Sequence, residues 1–157
     1  MKMDTKNPTR REALATLAAA AGALIVGSAK AAPAPLIEVW KSASCGCCHL
    51  WVEHLQKNGF QVKVNDVAGP ADYREKFGMP SEYGSCHTAK VQGYVLEGHV
   101  PAREIHRLPK EKPRAPGLAV PGMPMGSPGM EMEGRQDPYD VMLVSREGRA
   151  SVYQSYR

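Results

Sequence analysis

Three of the four cysteines in this 157-residue chain fall within four positions, Cys45-Gly46-Cys47-Cys48, and no other feature constrains the fold as much. Before them runs Leu36-Ile37-Glu38-Val39-Trp40, short, apolar and rich in β-branched and aromatic side chains, which reads as a buried strand. After them Trp51, Val52 and Leu55 recur at helical spacing, Glu53, Gln56 and Lys57 take the opposite face, and Asn58-Gly59 supplies a stop. Phe60, Val62 and Val64 then alternate with Gln61, Lys63 and Asn65, as in a strand with one buried face. Strand, helix and strand make a βαβ unit with parallel pairing. A C-x-x-C at the first turn of its helix is a thioredoxin-like signature.

The spacing of Cys45 and Cys48 lets two sulfurs on one helical turn meet, as a disulfide or as two ligands of one ion. A redox pair needs only two cysteines, and a neighbouring third thiol risks capturing the wrong disulfide. A soft-metal site gains from every added thiolate, so Cys47 points toward metal. Ser44 stands where it can cap the helix, and the helix N-terminus favours thiolate over thiol. Two blander readings remain: a disulfide staple, for which adjacent Cys47 and Cys48 are awkward partners, and a tetrahedral zinc module.

Residues 1–31 read as an export signal. Lys2, Lys6, Arg10 and Arg11 form a basic start, Ala13 to Gly27 is mostly Ala, Leu, Ile and Val, and Ala29-Lys30-Ala31 offers a cleavage site. Thr9 to Leu14 is similar to a twin-arginine signal, departing from it at Ala13. The apolar run is shorter than the roughly 18–20 residues of a spanning helix, so no membrane association is expected after cleavage. The remaining chain, residues 32–157, carries 15 basic and 14 acidic residues and no basic stripe, which excludes nucleic acid as the expected partner. Its length suits one domain with one core.

Farther along, Pro70 to Phe77 reads as a short helix ended by Gly78, and Thr88 to Val91 and Tyr94 to Leu96 as strands around Gln92-Gly93. Ala102 to Leu108 reads as a helix closed by Pro109 and Pro113. Residues 115–137 read as a loop rich in Gly, Pro and Met, and Tyr139 to Val144 with Ala150 to Tyr153 as a closing hairpin. Loops leaving a small α/β sheet converge on one end, so Cys86 is expected to meet the cysteine cluster. Met123, Met125, Met130 and Met132 form two M-x-M pairs outside any regular period, and thioethers suit Cu(I). Met123, Met125 and Met130 are therefore candidate secondary ligands, as are His49 and His87, each of which follows a cysteine. His54, His99 and His106 carry weaker signals, and Met79 and Met142 read as core.

Five stretches, taken in order, resemble the CopG-type copper-resistance proteins, long catalogued as a domain of unknown function: Cys45 to Cys48 after a Val-Trp strand; Ser85-Cys86-His87-Thr88-Ala89; Gly93-Tyr94 with Glu97 to Ala102; Val120 to Pro124 with Gly126 to Glu131; and Tyr139-Asp140-Val141. The resemblance spans nearly all of residues 32–157. It implies a single small α/β domain of thioredoxin-like fold, with a central mixed sheet and flanking helices. It also implies a periplasmic location and Cu(I) held by Cys45, Cys47, Cys48 and Cys86 in a cluster of one or several copper ions. Other periplasmic copper-handling proteins would then be partners. Whether such a protein acts as an oxidoreductase, a chaperone or a sink is left open by the resemblance. The reading that competes most directly is a thiol-disulfide oxidoreductase with Cys45 as nucleophile and Cys48 as resolving thiol.

Overall fold

The structure is a computed structural model and describes residues 33–157. The expected export signal lies outside the described residues. From Pro33 onward the chain forms one compact unit.

Its frame is a single seven-stranded mixed sheet in the order β2-β1-β3-β4-β5-β6-β7. Strand β1 (Leu36–Lys41) buries Ile37, Val39 and Lys41 and leads into α1 (Gly46–Lys57), which returns the chain to β2 (Gln61–Asp66). As expected, β1 and β2 pair in parallel. The expected one-sided burial of β2 is incomplete: Phe60, just before it, is buried, Val62 is half-buried and Val64 is 40% exposed. The reason is position. β2 is an edge strand, paired only with β1.

On the other side of β1 lies β3 (His87–Val91), antiparallel, followed through Gln92-Gly93 by β4 (Tyr94–Glu97). Next comes β5 (Gly117–Ala119), parallel to β4 and buried throughout. This corrects the reading of residues 115–137 as unbroken loop. Gly117 is needed there because a Cβ would collide with the Val95 backbone, which explains why the strand has too little side chain to be legible. β6 (Tyr139–Val144) and β7 (Ala150–Tyr156) close the sheet as the expected hairpin, with a register shift at Val141/Met142. Met142 is half-buried, whereas Met79 is core.

Helices α1 and α3 (Ala102–Glu111) pack on one face: Trp51, Leu55, Ile105 and Leu108 join Ile37, Val39, Leu96, Leu118 and Val141. The opposite face carries a smaller cluster of Met79, Val95, Ala119 and Val144. There α2 (Ala71–Lys76) presents Tyr73, whose ring stacks on Trp40 at 5.3 Å, and is followed by Phe77, edge-on to Trp40 at 4.9 Å. Pro109 does not close α3; the helix runs through it to Glu111. The last turn survives the missing N–H because Lys112 caps it in a left-handed conformation onto the Leu108 carbonyl, while Glu111 is tied to Arg107 at 2.9 Å and to the Tyr153 hydroxyl at 2.6 Å.

Candidate metal centre

The cysteine turn begins where β1 ends. Lys41 is fully buried, its ammonium donating to Asp66 at 3.0 Å and to the Ser42 carbonyl at 3.2 Å, so the strand's last residue is fixed. Ser44 does not cap α1: its hydroxyl pairs with Ser42 Oγ at 3.0 Å, and Cys45 itself is the N-cap residue, without a side-chain cap bond. The first-turn amides are therefore left without a side-chain acceptor, on the turn that carries the sulfurs. Cys45 and Cys48 are joined by a disulfide, with Cα atoms 5.3 Å apart, and Cys47 and Cys86 are free thiols.

Cys86 does meet the cluster. Its Sγ lies 3.8 Å from Cys47 Sγ, which is 3.6 Å from Cys45 Sγ, and Cys48 Sγ is 3.6 Å from the Cys86 carbonyl. The four sulfurs lie within 4.8 Å of one another. The cause is strand register: Lys41 stands opposite His87 in the β1–β3 ladder, so the residue before β3 falls beside the turn after β1.

A buried carboxylate holds that approach in place. Glu97, fully buried at the end of β4, accepts the Ser85 N–H at 2.7 Å, Arg74 Nε at 2.9 Å and the Thr88 hydroxyl at 2.6 Å. Arg74 from α2 also donates to the Ser85 carbonyl at 2.8 Å. Burial pushes the Glu97 carboxyl above its ordinary range, and hydrogen bonds from Arg74, Thr88 and Ser85 oppose that rise.

Two imidazoles face Cys86 Sγ: His87 Nδ1 at 3.3 Å and His99 Nε2 at 3.1 Å. Both rings are buried. His87 Nε2 donates to the Gly98 carbonyl at 2.9 Å, and His99 Nδ1 donates to the Pro128 carbonyl at 2.8 Å. Each carbonyl therefore fixes a tautomer that leaves a lone pair toward the sulfur. Burial holds both histidines below their ordinary range, His87 far below, with His99 and Lys41 adding to the shift. Burial, followed by the neighbouring Cys47, pushes the Cys86 thiol up to about 12. The Trp51 ring lies 4.2 Å from His87, its indole N–H donating to the Val100 carbonyl at 2.9 Å, so α1 also backs the histidine.

The Gly/Pro/Met loop spans both halves of the centre. Gly122 N–H donates to the Gly84 carbonyl at 3.3 Å, the Ser85 hydroxyl donates to the Gly122 carbonyl, and Pro128 holds His99. Gly129, at φ +84°, presses on α1 so closely that a Cβ would stand 2.7 Å from Trp51 N and 2.8 Å from the Cys47 carbonyl. The loop's backbone is thus beside the sulfurs, but its methionine side chains are not all directed inward: Met123 is 51% and Met132 56% exposed, while Met125 and Met130 are half-buried. His49 is exposed and belongs to neither donor group found among the described residues.

Of the candidate ligands, then, Cys45, Cys47, Cys48, Cys86 and His87 come together. His99 joins them with only a weak signal in the sequence reading. The signal that could have promoted it was the hairpin: counting outward from the Gln92-Gly93 turn, past the observed Thr88–Glu97 pair, brings Cys86 opposite His99.

Four sulfurs and two neutral imidazoles converging at one end of a mixed α/β sheet define a class, that of thiol-rich proteins whose centre suits soft metals or thiol redox chemistry. Two solved structures, named copper resistance protein CopG in forms 2 and 1, are similar to this chain. Form 2 shares 45% identity, covers 79% of this chain and 99% of its own, and superposes with a TM-score of 0.75. Form 1 shares 46% identity, covers 80% and 98%, and gives a TM-score of 0.74. A family model described as "Protein of unknown function, DUF411" matches residues 83–130, the segment from the Cys86 loop to Met130. No curated protein matches the chain. The chain belongs to the CopG copper-resistance protein family.

Proposed function

We propose that this chain is an exported, periplasmic copper-binding protein of copper tolerance, which holds Cu(I) on the thiolates of Cys45, Cys47, Cys48 and Cys86. The observation that carries the reading is the approach of Cys86 to the cysteine turn, 3.8 Å from Cys47 across 39 residues of sequence. Sulfurs about 3.8 Å apart suit two ligands on one ion, given metal–sulfur bonds of roughly 2.3 Å. Three sulfurs from one short turn plus one from outside favour bridging between ions, so more than one copper per chain is expected. The similarity to copper-resistance proteins supports copper as the metal. The basic start, apolar run and cleavage-like Ala29-Lys30-Ala31 support export. Among the described residues no helix is long and apolar enough to cross a membrane.

The order β2-β1-β3-β4, with β1 and β2 parallel and a C-x-x-C on the helix between them, supports a thioredoxin-like core to which β5, β6 and β7 are added. Such a core also suits disulfide exchange, and the Cys45–Cys48 bond is the observation behind that second reading. It leaves Cys47, Cys86 and two buried imidazoles without a role, so copper is the better account. Four-thiolate ligation requires that the disulfide be reduced first, a two-electron step. The methionines of the loop and His87 remain candidates for secondary ligation, and proteins that deliver or accept copper are the expected partners.

The test is anaerobic Cu(I) titration of the reduced protein against a competing chelator, with metal analysis. More than one copper per chain, reduced in number by Cys86→Ser, is expected. Absence of uptake combined with rapid disulfide exchange would replace copper binding by the oxidoreductase reading.

A further inference from the structure

The end of the sheet away from the cysteines carries unpaired positive charge. β5 pairs Gly117 with Val144, and β6 pairs Val144 with Ala150, so the residues just before β5 lie beside the turn that joins β6 to β7. A cavity of about 200 Å³ opens there, with apolar walls from Ala115, Leu143 and Ala150 and with Arg114, Arg149 and Ser145 among its polar groups. Five of the arginines are tied to carboxylates: Arg74, Arg103, Arg107, Arg135 and Arg157. Arg114, Arg146 and Arg149 make no salt bridge among the described residues, and all three belong to this end. Residues 110–114 and 145–149 set Lys110, Lys112 and these three arginines against only Glu111 and Glu147, and Glu111 is already bonded to Arg107 and Tyr153. Ser145 Oγ is the one buried side-chain polar atom among the described residues that has no hydrogen-bond partner. The Glu147 carboxylate is close enough for Ser145 to help hold it below its ordinary range, yet the two form no hydrogen bond.

We propose that this cavity is a binding site for a phosphate group, with Arg114 and Arg149 as its cationic partners and Ser145 as a hydroxyl donor. The planar fork of a guanidinium matches phosphate oxygens two at a time, and two guanidiniums match the double charge of a phosphate or its monoester, where a carboxylate would answer only one. The volume lies below the roughly 300–1,000 Å³ of sites for drug-sized ligands. It therefore suits one phosphate with a short apolar stub against Leu143, not a nucleotide. Rotation of Ser145 between staggered positions turns its hydroxyl from the wall toward the cavity, where a phosphate oxygen gives the unpaired group the partner it lacks. Glu147 is the acid of the same turn and opposes an anion, so its neutralisation strengthens binding. The site is independent of the copper reading, because the cysteine centre lies past the other end of β4 and β5, beyond the Glu97–Ala119 pair. The phosphate comes from a soluble compound or from a phospholipid headgroup. A lipid source would hold the protein with its cysteines directed away from the bilayer.

The experiment titrates the copper-free protein with inorganic phosphate at constant ionic strength and follows backbone amide chemical shifts. Saturable shifts centred on residues 114–115 and 143–151 are expected. Binding should weaken at least fivefold in Arg114→Gln and in Arg149→Gln, and tighten at least twofold in Glu147→Gln. Both arginines are exposed, so these variants keep the fold, and their Cu(I) uptake should equal that of the wild type. A second arm sediments the protein with vesicles of phosphatidylglycerol or of phosphatidylcholine. Retention on phosphatidylglycerol that is lost in Arg114→Gln/Arg149→Gln assigns the phosphate to lipid, and saturable phosphate binding without retention assigns it to a soluble compound. Arg146→Gln removes the same charge from outside the cavity lining and serves as the control in both arms. No saturable response in either arm, or equal losses from Arg146→Gln and Arg149→Gln, would overturn the site and leave the copper reading untouched.

Discussion

Replacing Gly129 by Ala measures how firmly the Gly/Pro/Met loop is seated on the cysteine helix. Two costs are predicted. At φ +84° a Cβ is strained wherever it stands, by about 1–2 kcal/mol. The new Cβ would also lie 2.7 Å from Trp51 N, 2.8 Å from the Cys47 carbonyl and 3.1 Å from Trp51 Cα. These are backbone atoms of α1, so the loop must yield, and overpacking of this kind costs about 1–3 kcal/mol. Gly134 supplies the control: it has φ +72° and nothing within 4 Å of an added Cβ, so Gly134→Ala carries only the strain, about 1–2 kcal/mol. In thermal melts of the two variants, a drop of about 10 °C is expected for Gly129→Ala and about 5 °C for Gly134→Ala, on the scale for a domain of this size. Equal losses would show that the loop does not bear on α1, and the account of how it holds His99 would fall with it.

Two further outcomes follow from the buried groups around the centre. Glu97→Ala leaves Arg74, the Ser85 N–H and the Thr88 hydroxyl without their shared acceptor, so a loss of about 3–5 kcal/mol is expected in urea unfolding, and Glu97→Gln should recover part of it; a loss below about 1 kcal/mol would refute the clamp. His54, whose Nε2 accepts the Ala102 N–H at 3.1 Å, joins His87 and His99 as histidines that burial holds below 6.5. A lowered folded-state value means that the unfolded chain binds more protons just below pH 6.5. The stability these residues contribute is thus complete above about pH 7 and lost as pH falls through 6.5 toward the folded values. Glu97, shifted the other way, offsets part of this loss. The urea midpoint should be lower at pH 5.5 than at pH 7.5, and a flat profile would contradict the burial of these rings.

The parts of the fold that local pattern dictates are legible in the sequence. Ile37 and Val39 alternate, Trp51 and Leu55 share a helical face, and Gln92-Gly93 announces a hairpin; each appears where its periodicity puts it. β5 is not legible, because three residues beginning with a glycine have no period, and its place between β4 and β6 is set by long-range pairing. Pro109 misleads for a related reason: contacts from β7 and the Lys112 cap outweigh a local helix breaker. In the centre, the meeting of Cys86 with Cys47 follows from topology, whereas the share of His99 depends on strand register, a quantity fixed by pairing rather than by residue type. Ser44 looks like a cap by residue type alone, but its hydroxyl has a nearer partner in Ser42.

The disulfide and a copper cluster draw on the same two sulfurs, and that competition has a measurable consequence. If Cu(I) binds the reduced centre through Cys45 and Cys48, it stabilises the dithiol by the free energy of that binding, and linkage requires the disulfide to disfavour cluster formation by the same amount. A copper ion that binds only the dithiol, at a hundredfold its dissociation constant, would stabilise the dithiol by about 2.7 kcal/mol, a shift in the thiol–disulfide equilibrium of roughly a hundredfold. Reduced protein equilibrated with oxidised and reduced glutathione, with and without Cu(I), should therefore keep Cys45 and Cys48 reduced at about a hundredfold more oxidising ratios when copper is present, as read by alkylation after acid quench and removal of the copper by a chelator. The displacement should vanish in Cys86→Ser if that thiolate is shared by the same cluster. An unchanged equilibrium in the wild type would mean that copper, wherever it binds, leaves Cys45 and Cys48 alone, and that the disulfide and the metal serve separate purposes.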